Sequence, residues 1–197
     1  MSAIERGVVR TCAALLAGCT SPTSSPREVP FGLRHDAGSN FVAARVHHGV
    51  PILQRSFFWD GNGEVEDSGV GVHVGHHLAD RVALGVGTNL STWWTSGRDV
   101  QSAELEALLR VHPFAGWPVF VDGTTGYQLA DEQIPPGGTV WNFTFSFGGG
   151  LELPVAPATS LLLGTCYHHI SNALGRDNDR NPSQNEARLW LGVEWSF

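Results

Sequence analysis

The chain has 197 residues, with 12 Lys+Arg against 19 Asp+Glu and a formal net charge of −7. That length suits one domain with a complete barrel or sandwich core, and the acidic balance excludes a nucleic-acid footprint, which needs a basic surface. Charged residues make up only 16% while Gly numbers 24 and Trp 7; this composition fits an all-β protein with close backbone approaches and aromatic interface residues, and excludes a transmembrane helix for want of roughly 18 consecutive apolar residues.

The N-terminus reads as an export signal. Arg6 and Arg10 precede a short apolar stretch from Thr11 to Gly18, and Leu16-Ala17-Gly18-Cys19 resembles the bacterial lipoprotein box. The signal is of that type or an ordinary one cut nearby. Residues 1–25 are therefore set apart as signal and tether, with Ser21-Pro22 through Pro26 as the flexible part, and 26–197 as the folded domain. With Cys12 and Cys19 in the leader, the body keeps only Cys166, so no disulfide framework is expected. Cys166 lies in an alternating run and reads as a small packing residue.

Beyond the leader, alternation with period 2 dominates. A first, irregular strand is expected within 40–59. Runs follow at about 68–77 (Val70, Val72, Val74 against Gly69, Gly71, His73), 81–92, and 103–112 (Leu105, Ala107, Leu109 against Glu104, Glu106, Arg110). Further runs fall at about 118–129, 139–153 (Trp141, Phe143, Phe145, Phe147 against Asn142, Thr144, Ser146), 159–171 and 186–197, the last ending on Trp195 and Phe197. Short links, near 78–80, 113–118 and 154–158, alternate with long polar ones near 92–102, 123–138 and 172–185. Eight strands with short turns at one end and long loops at the other predict an all-β, eight-stranded antiparallel up-and-down outer-membrane β-barrel. Its apolar face points out. The opposite set, including Glu104, Glu106 and Arg110, points in, where ion pairs with one another or with neighbouring strands are open to them.

Histidine doublets at 47–48, 76–77 and 168–169 project to opposite faces of a strand, so none is expected to chelate an ion. His73 and His112 read as facing opposite sides, and neither a metal nor a cofactor is expected. The acidic loop Asp177–Asp179 is a weak Ca²⁺ candidate. Trp59, Trp93 and Trp94 are expected in an interfacial aromatic belt.

The candidate site lies at the end of the 159–171 run. His169 and Ser171 are two positions apart, hence on one face of a strand, and they continue the face of Leu161 and Leu163. Both should point toward lipid near the outer rim, where an unpaired polar group is costly. A carboxylate or amide from the next segment could orient the imidazole, which is the logic of a nucleophilic serine site.

The run His169-Ile170-Ser171-Asn172-Ala173, followed by Asn181-Pro182-Ser183-Gln184-Asn185 and a closing strand, resembles the lipid A 3-O-deacylase (PagL-like, acyloxyacyl hydrolase) family. Those proteins are eight-stranded outer-membrane barrels with a Ser-His-Glu site on the outer surface, and they remove an ester-linked 3-hydroxyacyl chain from lipid A. The resemblance implies Ser171 as nucleophile, His169 as general base, and Asn172 and Asn181 beside the site as oxyanion or substrate contacts. It is strongest over about 165–197 and looser back to Ser102. Ungapped alignment on Leu189-Trp190-Leu191-Gly192-Val193 puts Asn185 at the family's glutamate position, with Glu186 one residue later. Glu186, swinging from a loop, is the expected orienting acid, and Asn185 the other choice. Ser183 and Leu174 stand where the family has Gly.

The expected partner is lipid A or a related outer-leaflet lipid in the outer membrane. Oligomeric state stays open, a homodimer included. The alternative reading is a non-catalytic barrel with a structural or adhesion role.

Overall fold

The computed structural model describes residues 35–52, 65–174 and 181–197. The expected leader and tether, Trp59 and the acidic loop at Asp177–Asp179 lie outside them. Eight strands form in chain order: β1 (Asn40–Pro51), β2 (Glu66–Ala79), β3 (Val82–Trp94), β4 (Val100–Val111), β5 (Val119–Ile134), β6 (Thr139–Ala156), β7 (Thr159–Ser171) and β8 (Gln184–Ser196). Each pairs antiparallel with its neighbour. β8 closes on β1 from Phe41 opposite Ser196 to Pro51 opposite Glu186, giving a closed barrel with no free edge.

Alternation decides which way each side chain faces. On β4, Leu105 and Leu109 point out while Glu104, Glu106 and Arg110 are buried inside. On β8, Leu189, Leu191, Val193 and Trp195 point out against buried Trp190 and Glu194. A soluble barrel would show the reverse, since apolar surface is driven from water; here the outer wall is apolar and the lumen polar.

The lumen is a packed interior, closed in layers. Phe41, Leu108, Phe120, Leu162 and Trp190 form an apolar layer toward the short-turn end. Val65, Trp93, Val100, Ile134 and Ile170 form another toward the long-loop end. Ion pairs share the lumen with these layers. Arg110 donates two hydrogen bonds to Asp122, at 2.7 and 2.9 Å, and a further one to Glu194. Arg188 bridges Asp67 (2.9 Å) and Glu186 (3.1 Å). His73 pairs with Glu106, and Asn89 donates to both Glu104 and Glu106. Arg110 and Glu106 are thus ion-paired inside, to Asp122 on neighbouring β5 and, across the lumen, to Glu194 on β8 and His73 on β2, while Glu104 accepts only the Asn89 amide among the described residues.

Three expectations are corrected. The polar stretch 123–138 is not a long loop: β5 continues to Ile134 and returns through a four-residue turn. Gly137, at φ 85°, supplies the left-handed third position of that turn after Pro135-Pro136, and Gly138 N–H closes it on Pro135 O at 2.9 Å. Trp93 is not in a surface belt. It is fully buried inside the barrel and donates its indole N–H to Ser102 Oγ at 2.8 Å, whereas Trp94 is exposed on the outer wall. His73 and His112 do not face opposite sides; both are buried within the lumen. Residue-number parity does not carry from one strand to the next, because each turn resets it.

Candidate active site at the outer end of β7 and β8

β7 runs from a short turn to a long loop, so its last residues lie at the long-loop rim. Leu161 and Leu163 are 40% and 44% exposed on the outer wall, while Leu162 and Ile170 belong to the interior layers. His169 and Ser171 therefore continue the outward face, and His168 lies inside. His169 itself is only 5% exposed because its neighbours cover it.

The register sets Asn185 directly opposite His169. His169 Nδ1 lies 2.7 Å from Asn185 Oδ1, and the Tyr167 hydroxyl donates to the same oxygen at 2.5 Å. An amide oxygen only accepts, so the ring proton sits on Nδ1 and Nε2 is the basic nitrogen. Asn185 is anchored in turn, its carbonyl accepting Ile52 N–H at 2.9 Å as β1 ends.

Ser171 is the last residue of β7, half-buried and opposite Phe143 of β6. Among the described residues no hydrogen bond joins its hydroxyl to the His169 ring. The backbone beyond it is held by local bonds: Asn172 N–H donates to Asn181 Oδ1 (3.1 Å), and Leu174 N–H donates to Asn172 Oδ1 (3.2 Å). Between them Ala173 adopts φ 59°, a left-handed conformation that costs a residue with a Cβ of order 1 kcal/mol or more. The two asparagine bonds hold that turn in place.

Glu186, the expected orienting acid, is elsewhere. It pairs with His168, points into the lumen, and is fully buried against Gln184 and Arg188. The reason is where the strand starts. β8 begins at Gln184, so Glu186 obeys alternation and cannot swing outward. Asn185 is the residue the fold brings to His169. The structure therefore unites His169, Asn185 and Tyr167, and places Ser171 on their face. Asn172 and Asn181 stand beside the site as clamps on the chain after Ser171. Tyr167 escaped the sequence reading, although it shares the parity of His169 and could have been found that way.

A serine, an imidazole with its tautomer fixed by a side-chain amide, and a clamped turn after the serine have the parts for nucleophilic acyl transfer. The amide takes the part that a carboxylate takes in Ser-His-Asp sites, as in Cys-His-Asn enzymes.

No protein-family model and no curated protein sequence matches the chain. Solved structures do match. Neisserial surface protein A is 15% identical over 81% of this chain and 99% of its own, with a TM-score of 0.55. The N-terminal β-barrel domain of Pseudomonas aeruginosa OprF is 16% identical over 82% of this chain and 98% of its own, at 0.49. The chain has the closed eight-stranded barrel fold of these proteins, with the apolar outer wall of a membrane barrel.

Proposed function

We propose that this barrel is an outer-membrane esterase that removes an ester-linked acyl chain from lipid A or a closely related outer-leaflet lipid. The observation that supports it is the bond from His169 Nδ1 to Asn185 on the outward face, beside Ser171. It leaves Nε2 as the base on the side of the wall where acyl chains lie. The short turns of such barrels face the periplasm, so the rim bearing Ser171 lies in the outer leaflet.

In this reading Ser171 Oγ attacks the ester carbonyl and His169 Nε2 takes its proton. The tetrahedral intermediate expels the lipid hydroxyl, which takes the proton back from His169. Water, activated by the same nitrogen, then releases the fatty acid from the acyl-serine. The lipid A substrate follows from the His-x-Ser-Asn-Ala and Asn-Pro motifs, whose resemblance to lipid A 3-O-deacylases covers this corner of the barrel. The replacement of the family's glutamate by Asn185 makes His169 a weaker base than in a Ser-His-Glu site.

A fluorophosphonate probe tests the activated serine. Purified barrel should be labelled at Ser171, and the Ser171→Ala variant should not be. A folded wild type that resists the probe would favour the alternative, a non-catalytic surface barrel; the missing Ser171–His169 hydrogen bond is the feature on that side.

A further inference from the structure

At the opposite end of the lumen, four segments bring together side chains that the proposed chemistry does not use. His35 precedes β1, His77 lies near the end of β2, His112 follows β4, and Glu152 lies near the end of β6. They sit below the apolar layer, with His77 against Phe41 and His112 against Phe120 at ring-centroid distances of 5.9 and 6.1 Å. We propose that His35, His112 and Glu152 bind a divalent transition-metal ion, Zn²⁺ being the ion their donors fit best, at the periplasmic end of the barrel.

The distances are near those of a ligand set. His35 Nε2 is 2.9 Å from Glu152 Oε2, and His112 Nε2 is 3.8 Å from the same oxygen. Ligand atoms of all three residues lie within 4.8 Å of one another. Tetrahedral Zn²⁺ with bonds of about 2.0–2.1 Å holds its ligands about 3.3 Å apart. The rings of His35 and His112 are stacked, with centroids 3.3 Å apart and planes at 24°, so an ion enters by rotating them apart about their side-chain bonds. Two imidazoles and one carboxylate favour Zn²⁺ over Mg²⁺ or Ca²⁺, which demand oxygen.

Two further features point to a ligand. Both ring nitrogens of His112 are buried without a hydrogen-bond partner among the described residues, and so is His77 Nε2. Buried polar atoms in native proteins are seldom left so. Ser39 Oγ donates to Asp36 O, so it accepts from His77 Nδ1, and the orphaned Nε2 of His77 carries a lone pair. The carboxylate is also braced: Ser160 Oγ donates to Glu152 Oε1 at 2.9 Å, which orients Oε2 toward the histidines, as groups behind metal ligands do. Arg110 is satisfied by Asp122 and Glu194 and leaves Glu152 to the cluster. An ion here ties the segment before β1 to the β4 and β6 ends across the lumen.

The test uses the untagged chain folded in detergent and stripped with chelator, titrated with Zn²⁺ by calorimetry. The wild type should bind one ion, and Co²⁺ should give the visible bands of a tetrahedral N/O site. Glu152→Gln and His112→Asn should each weaken binding at least tenfold, while His76→Asn, an exposed histidine on the outer wall, should change nothing. Zn²⁺ should raise the melting temperature of the wild type and not of Glu152→Gln. The slower mobility of heat-denatured barrel on gels verifies that each variant is folded. Absence of saturable binding in the folded wild type overturns the proposal. Equal affinity in the folded Glu152→Gln variant does so as well, as does loss of binding with His76→Asn.

Discussion

Replacing Asn185 with Asp puts a charge where the amide oxygen now holds His169, with almost no change of shape. Asn185 is 1% exposed, so water screens the new charge little. Its oxygen keeps two donors, His169 Nδ1 at 2.7 Å and the Tyr167 hydroxyl at 2.5 Å. A neutral hydrogen bond contributes about 0.5–1.5 kcal/mol and one to a charged group about 1.5–3. The imidazolium that forms as Ser171 loses its proton therefore gains about 1–1.5 kcal/mol relative to the amide. At about 1.4 kcal/mol per tenfold, Asn185→Asp should hydrolyse esters roughly 5- to 10-fold faster. Asn185→Ala, which releases the ring and its tautomer, should lose at least about fivefold. The assay is steady-state hydrolysis of a p-nitrophenyl acyl ester by purified barrel in detergent, with fold checked by heat-dependent gel mobility. If both variants are folded, Asp no faster and Ala no slower than wild type would refute a role for Asn185 through His169.

Glu186 provides the contrast. Because it faces the lumen, Glu186→Gln should leave ester hydrolysis within about twofold of wild type in the same assay, the range expected of a change that touches no reacting group; a fall as large as that of Asn185→Ala would return Glu186 to the site. Inside the barrel, Arg110→Met strands Glu194 and leaves Asp122 only the 3.1 Å contact with Arg45. Removing one side of a buried ion pair costs about 3–5 kcal/mol, which urea unfolding of the barrel in lipid vesicles should read directly. A loss under about 1 kcal/mol, typical of exposed pairs, would mean that water reaches this layer.

The barrel was legible because nearly every strand residue meets one of two solvents. Leu105 and Glu104 could not exchange places without putting a charge in lipid, so the alternation is nearly unbroken along β4. Legibility failed where that constraint lapses. Asp131 and Glu132 continue β5 past the apolar band, where either face meets polar surroundings, and the stretch looked like a loop. Trp93 next to Trp94 could not both belong to one belt, since adjacent residues oppose each other; the sequence did not say which one turned in. Asn185 and Glu186 differ by one residue, and only the point at which β8 starts decides which of them meets His169. The histidine–glutamate cluster at the other end was hidden for a different reason. Its members are distant in sequence and meet only through closure of the barrel.

The most direct test is mass spectrometry of lipid A from cells expressing either the wild type or Ser171→Ala, with equal amounts of folded barrel in the outer membrane. The proposed chemistry predicts loss of one 3-hydroxyacyl mass with the wild type and intact lipid A with the variant. Intact lipid A in both, or the same loss in both, would contradict it.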